Sequence, residues 1–149
     1  MVRPRTTVKP QPGLLLQPFV LTQLSSVLVG GIVEGSDVTG PEFAVTSWLA
    51  VVGGATPTEL SADLGMAPTT LSAMIDRLAR KGQVRRVRHP EDGRSYVLEL
   101  TAKGRATNDR NVGRFAKVIA KLRANLDGDE EDVLASLRVL EAALRKSLS

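Results

Sequence analysis

The sequence contains no cysteine and only one histidine, His89. Disulfides, thiolate catalysis, cysteine-ligated metals and thiol-based redox sensing are thereby excluded, and no zinc site is expected. No Ser–His–Asp set, metal-ligand cluster or phosphate-cradling glycine-rich loop is present. The chain is therefore expected to have no enzymatic activity, no metal and no cofactor. Gly30-Gly31 and Gly53-Gly54 read instead as helix ends or points of close packing, and Trp48 and Tyr96 as core. There is no internal repeat. Basic residues are missing from a long span: after Lys9 there is no lysine or arginine until Arg77.

The 149 residues suit one domain or two closely joined parts, and 42% hydrophobic with 24% charged residues is an ordinary soluble composition. The net charge of +4 conceals a strong asymmetry. From Arg77 to Arg94 there are seven basic residues against Glu91 and Asp92, and from Lys103 to Arg123 seven more against Asp109. Such a local positive field favours a polyanionic partner, although the second stretch can equally be a solvated helix face. At the other end, the apolar run Leu14 to Val33 behind a basic start imitates a secretory signal or a membrane span. Gln17, Pro18, Thr22, Gln23, Ser25 and Ser26 interrupt it. A cytoplasmic protein with no membrane association is expected. Val20, Leu21, Leu24, Val27 and Leu28 recur at helical spacing instead. Residues 1–13, with Pro4, Pro10 and Pro12, read as a flexible arm.

Six helices and one hairpin follow from local signals. A first helix runs from Pro18 to about Glu34. Thr39-Gly-Pro-Glu42 and Thr56-Pro-Thr-Glu59 both have the form of a capping box, each starting a helix. The second helix buries Phe43 or Ala44, Trp48, and Val51 or Val52, and ends at Gly53-Gly54. The short third helix turns Leu60 and Leu64 inward. The fourth, from Pro68 to about Arg80, carries Leu71, Met74, Ile75 and Leu78 as one stripe. Val84–Arg88 and Ser95–Leu100 form two strands around a Pro90–Gly93 loop. Thr101 caps a fifth helix with Val112, Phe115, Ile119, Leu122 and Leu126 in steps of three and four. After Asp127–Asp132 a sixth repeats the pattern with Val133, Leu137, Leu140 and Leu144.

Helices three and four are a helix-turn-helix, and with the hairpin behind them they make a winged helix. The fold is thus mainly α with a small β-hairpin wing. Thr69, Ser72, Ala73 and Asp76 lie opposite the buried stripe of helix four, with Arg77 and Arg80 near its end. Small hydroxyl side chains let such a helix sit close in a major groove, though an ordinary amphipathic surface helix has the same pattern. Pro68, Thr69, Thr70, Ser72, Ala73, Arg77, Arg86, Arg88, Asp92 and Arg94 are the candidate DNA-binding residues. Arg94 reaches the minor groove. Arg85, Arg86 and Arg88 meet phosphates unless one pairs with Asp92. Asp92 orients the Arg94 guanidinium, or forms with Gly93 a plain hairpin turn.

At these residues the chain resembles the MarR family of bacterial transcription regulators. Asp92-x-Arg94, Leu100-Thr101 and Gly104 match the family's wing signature. Thr58-Glu59-Leu60, Leu64-Gly65, Thr69-Thr70-Leu71-Ser72 and Ile75-Asp76-Arg77-Leu78 match its helix-turn-helix. The resemblance covers about residues 15–148. It implies a homodimer in which the first, fifth and sixth helices pair across a two-fold axis. It also implies a small, often aromatic or phenolic, anionic effector bound between helices one, two and five and the winged part. The apolar seams agree with the dimer, intramolecular packing being the alternative. Leu21, Leu24, Leu28, Phe115, Ile119, Leu122, Val133, Leu137, Leu140 and Leu144 are its candidate contacts.

Four positions depart from the family's pattern. Ala67 replaces a capping serine or threonine, at about 1 kcal/mol of helix stability. Ala73 replaces a longer, often basic residue, His89 an aspartate, and Gly93 a second wing arginine.

The expected organisation is an arm (1–13), a helical dimerisation region (14–36 with 101–149) and a winged helix-turn-helix (37–100). The expected function is a dimeric, sequence-specific regulator on a palindromic double-stranded operator, a repressor released by a small molecule. The competing reading is a ligand- or protein-binding relative that has lost sequence-specific DNA binding.

Overall fold

The computed structural model describes residues 13–148, so all but the last residue of the expected N-terminal arm lies outside it. Six helices and one hairpin follow in order: α1 (Leu16–Val33), α2 (Gly40–Val52), α3 (Pro57–Leu64), α4 (Pro68–Arg80), β1 (Val84–Arg88), β2 (Tyr96–Leu100), α5 (Ala102–Ala124) and α6 (Glu130–Leu148). Residues up to Asn111 make one compact unit and Val112 onward a second, with α5 running through the boundary.

Local chemistry starts each helix where the sequence places it. Thr39 and Thr56 both form complete capping boxes, with Glu42 and Glu59 reaching back to the capping residue's N–H. Thr101 accepts from the Gly104 N–H and so caps α5. Asp129 accepts from the Glu131 and Asp132 N–H groups and caps α6. Ala67 offers α4 no side-chain cap. Gly53 and Gly65 close α2 and α3 at positive φ, a conformation glycine adopts without strain.

The core of the first unit is centred on a few aliphatic side chains. Leu49, Leu60, Leu71, Ile75, Leu78 and Leu98 are all at most 1% exposed. The α4 stripe is buried as its spacing requires. β1 and β2 pair antiparallel with Val84 opposite Leu100 and Arg88 opposite Tyr96, so Leu98 and Leu100 face the helices. Ala55 adds a further bridge to this sheet, exchanging both backbone bonds with Leu98. An added Cβ on Gly54 would lie 2.9 Å from Val97 Cγ1, so glycine permits that approach.

Several expectations need correction. α2 buries Phe43, Val45 and Leu49, not Ala44, Val51 or Val52, of which Val51 is 79% exposed. The buried face is rotated by one residue because Glu42 and Thr46 also point inward. Trp48 and Tyr96 are half-buried, not core, and Trp48 Nε1 donates to Asp63. Leu64 is likewise half-buried. Ser95 precedes the second strand. Gly30 and Gly31 lie inside α1 where an added Cβ would meet nothing, so they mark neither an end nor close packing.

α1 has no charged residue and a mean hydropathy of 1.5. Among the described residues it is the one helix long and apolar enough to cross a membrane. Its polar residues do not remove it from that class, contrary to the expectation above. Thr22 and Ser26 satisfy their hydroxyls on carbonyls one turn back.

Candidate nucleic-acid interface

α4 presents its outward face by simple geometry. With Leu71, Met74, Ile75 and Leu78 inward, residues 69, 73, 76 and 80 fall on the opposite side in steps of four, three and four. Pro68, Thr69, Thr70, Ser72 and Ala73 are all exposed. Among the described residues, no protein group hydrogen-bonds the hydroxyls of Thr69, Thr70 or Ser72, which leaves them available to an external partner. Arg80 stands on this face too, its Nε donating to the Asp76 carbonyl. It was absent from the candidate set, although the same helical period points to it.

The wing is a short, internally bonded loop. Asp92 accepts the Arg94 N–H through its carboxylate at 3.0 Å and the Ser95 N–H through its carbonyl at 3.1 Å. His89 Nδ1 accepts from the N–H groups of Glu91 and Asp92 at 3.2 and 3.1 Å. The imidazole thus does what a carboxylate before the proline would do: it satisfies two turn donors. Asp92 fixes the backbone of Arg94 and leaves its guanidinium alone, which corrects the expected charge-assisted bond. Arg94 is exposed, and its side chain has no partner among the described residues.

The other arginines differ in their freedom. Arg85 pairs with Glu99 across the hairpin at 2.7 Å. Arg86 pairs with Asp76 of α4 and lies over the Tyr96 ring, 5.3 Å from its centroid, tying the wing to the helix. None of these bonds to Asp92. The Arg88 guanidinium packs beneath the wing, where a Cβ on Gly93 would lie 2.7 Å from its Nη2. Glycine at position 93 therefore leaves room for Arg88 under the loop.

Arg77 is held differently. Its Nε donates to Glu42 Oε1 at 3.2 Å, and Lys81 Nζ donates to Glu42 Oε2 at 2.6 Å. The Glu42 side chain is wholly inaccessible. Burial pushes its carboxyl up, but Lys81, the Thr39 N–H and Arg77 more than offset this and hold it below the usual carboxylate range. Sequence periodicity gave no sign of this cluster, because its members are 35 and 39 residues apart.

The seams proposed for dimerisation are uncovered within the chain. Leu21, Leu24 and Leu28 of α1 are 39%, 59% and 47% exposed. In the second unit no described residue is buried; Phe115, Leu122, Val133 and Leu137 are exposed and Ile119, Leu140 and Leu144 half-buried.

The MarR family model matches residues 38–96, from two residues before α2 to the first residue of β2. The multiple antibiotic resistance protein MarR of Escherichia coli is 30% identical over 130 residues, which are 87% of this chain and 86% of that protein. A crystal structure of a mutant MarR from E. coli, complexed with operator DNA, is 28% identical with a TM-score of 0.70. The match covers 89% of this chain and 91% of that one. The PcaV transcriptional regulator from Streptomyces coelicolor, in complex with its natural ligand, is 31% identical with a TM-score of 0.72. The match covers 85% and 91% of the two chains.

Proposed function

This chain belongs to the MarR family, and from that premise we propose that it is a dimeric transcription regulator that binds a palindromic DNA operator through α4 and the wing. The observation that carries this reading is the pairing of two unoccupied surfaces. The exposed hydroxyls of Thr69, Thr70 and Ser72 stand on one helix, and Arg94, whose side chain has no partner among the described residues, stands on an internally hydrogen-bonded turn. Hydroxyl side chains at the start of α4 suit base edges and phosphates, and an arginine at a wing tip suits the negative potential of the minor groove. Two-fold symmetry places the half-sites about one helical turn apart, ~34–36 Å.

The regulator acts as a repressor in the cytoplasm, has no catalytic role, and is released by a small aromatic or phenolic effector. What supports release by a ligand is membership of the family together with a ligand-bound relative.

A second copy covers the exposed seams. From Val112 onward no described residue is buried, so this part of α5 and α6 cannot supply its own core. The leucines of α1 have the same need, and joining the two copies also explains an uncharged helix of span-like hydropathy. Leu24→Glu combined with Leu137→Glu is expected to convert the dimer to a monomer in sedimentation experiments, with loss of operator binding. A parent protein that sediments as a monomer at binding concentrations contradicts the dimer.

A further inference from the structure

We propose that Glu42 is a positioning residue of the DNA interface: from inside the fold it grips Arg77 by the Nε edge and presents the guanidinium's outer fork to a DNA phosphate. The proposal rests on the DNA-binding reading above and adds a residue that makes no contact with DNA itself.

The geometry gives each atom a role. Glu42 is fixed by the α2 capping box, in which Oε2 accepts the Thr39 N–H at 2.9 Å. The same oxygen takes Lys81 Nζ, which leaves Oε1 for Arg77 Nε. Only the Nε–H of the Arg77 guanidinium is used. Among the described residues neither Nη group has a partner, and the side chain is 45% exposed. Arg77 stands at the edge of the outward face of α4, one residue beyond Asp76. The free Nη1–Nη2 edge has the planar, two-donor form that matches phosphate oxygens. A guanidinium already held by a buried carboxylate has lost much of its rotamer freedom before DNA arrives, so less is lost on binding. Two cations against one carboxylate also leave the cluster net positive.

The test measures binding to a mixed-sequence duplex across a salt series for the parent, Arg77→Ala, Glu42→Gln and the double variant. Glu42→Gln keeps an acceptor of the same shape but removes the charge that holds both cations. Arg77→Ala is expected to bind roughly tenfold more weakly and to flatten the slope of log K against log salt by about 0.9, one phosphate contact. Glu42→Gln is expected to show a smaller loss of the same kind that vanishes in the Arg77→Ala background. A duplex of unrelated sequence should suffer equally, because phosphates carry no sequence information.

An unchanged slope for Arg77→Ala overturns the proposal. So do additive losses in the double variant. So does tighter binding with a steeper slope for Glu42→Gln, the sign of a carboxylate that only masks two cations. If Glu42→Gln fails to fold, Arg77→Lys at the half-exposed position decides. It keeps the charge without the fork and should recover less than half of the loss, and full recovery overturns the proposal. A parent that binds no duplex removes the DNA-binding reading with it, whereas a parent that binds and ignores Arg77→Ala removes this inference alone.

Discussion

Replacing Arg94 by alanine is expected to weaken operator binding about thirtyfold, ~2 kcal/mol, and to leave the melting temperature unchanged. The two halves of that result have separate causes. Stability should not respond because the Arg94 guanidinium touches no described partner, and the turn is held by the Arg94 main chain, which alanine retains. Affinity should respond because a wing arginine inserted in a narrow groove meets the strongest negative potential on the duplex. Arg85→Ala provides the contrast. Its charge is neutralised by Glu99 at 2.7 Å, so its removal should cost little. Mobility shift on a selected operator, with a thermal melt of each variant, checks both halves. Arg94→Ala that binds as tightly as the parent removes the wing from the interface.

Gly104→Ala is expected to have the largest effect on stability. Gly104 is buried at the start of α5, and a Cβ there would lie 1.9 Å from the main-chain oxygen of Gln83. That oxygen cannot step aside cheaply. It accepts from the Thr101 N–H at 3.1 Å and from Thr101 Oγ1 at 3.3 Å, and Gln83 adjoins the first residue of β1. The methyl group must push the fifth helix off the hairpin or shift the strand. Overpacking of this kind costs about 3 kcal/mol or more, a fall of roughly 6–12 °C in Tm for a chain of this size. DNA binding should fall with it, since the wing hangs from the displaced strand. Gly113→Ala in the same helix is the control. An added Cβ there meets nothing within 4 Å, so it should gain up to ~1 kcal/mol of helix propensity. Equal melting of the two variants would contradict the close-approach argument.

The parts of the fold written in local chemistry could be read from the chain. Thr39 and Thr56 cap their helices because a hydroxyl three residues before a glutamate is sufficient for a capping box. The α4 stripe and the second strand of the hairpin were legible because their periods, about 3.6 and 2, persist over whole elements. What escaped was everything decided by a distant partner. α2 seemed to turn Trp48 and Val51 or Val52 inward, yet its buried face includes Glu42 and Thr46, polar residues whose partners lie on α4 and α5. The first half of α5 buries Gly104, Thr107, Asn108 and Asn111, at helical spacing but without an apolar atom pattern. Asn108 accepts from Thr46 and Ser47, and Asn111 donates to Ser36. A search for apolar stripes cannot see such a polar seam. The bridge from Ala55 to the hairpin was hidden in the same way. In the candidate site the exposed residues of α4 were legible from one helix alone. The division of arginines into paired and unpaired was not, because Glu42, Asp76 and Glu99 are brought to them by folding.

The central claim is sequence-specific recognition of DNA by a two-fold symmetric protein, and one selection tests it directly. The purified protein is incubated with a pool of randomised duplexes at near-physiological salt, and the bound fraction is recovered and sequenced. The account predicts an enriched palindrome whose half-sites are centred about one helical turn apart. Binding that appears only at low salt, with no sequence enriched, would contradict it. That outcome would favour a relative that keeps the fold without reading bases, with Ala73 and Gly93 as the positions to examine.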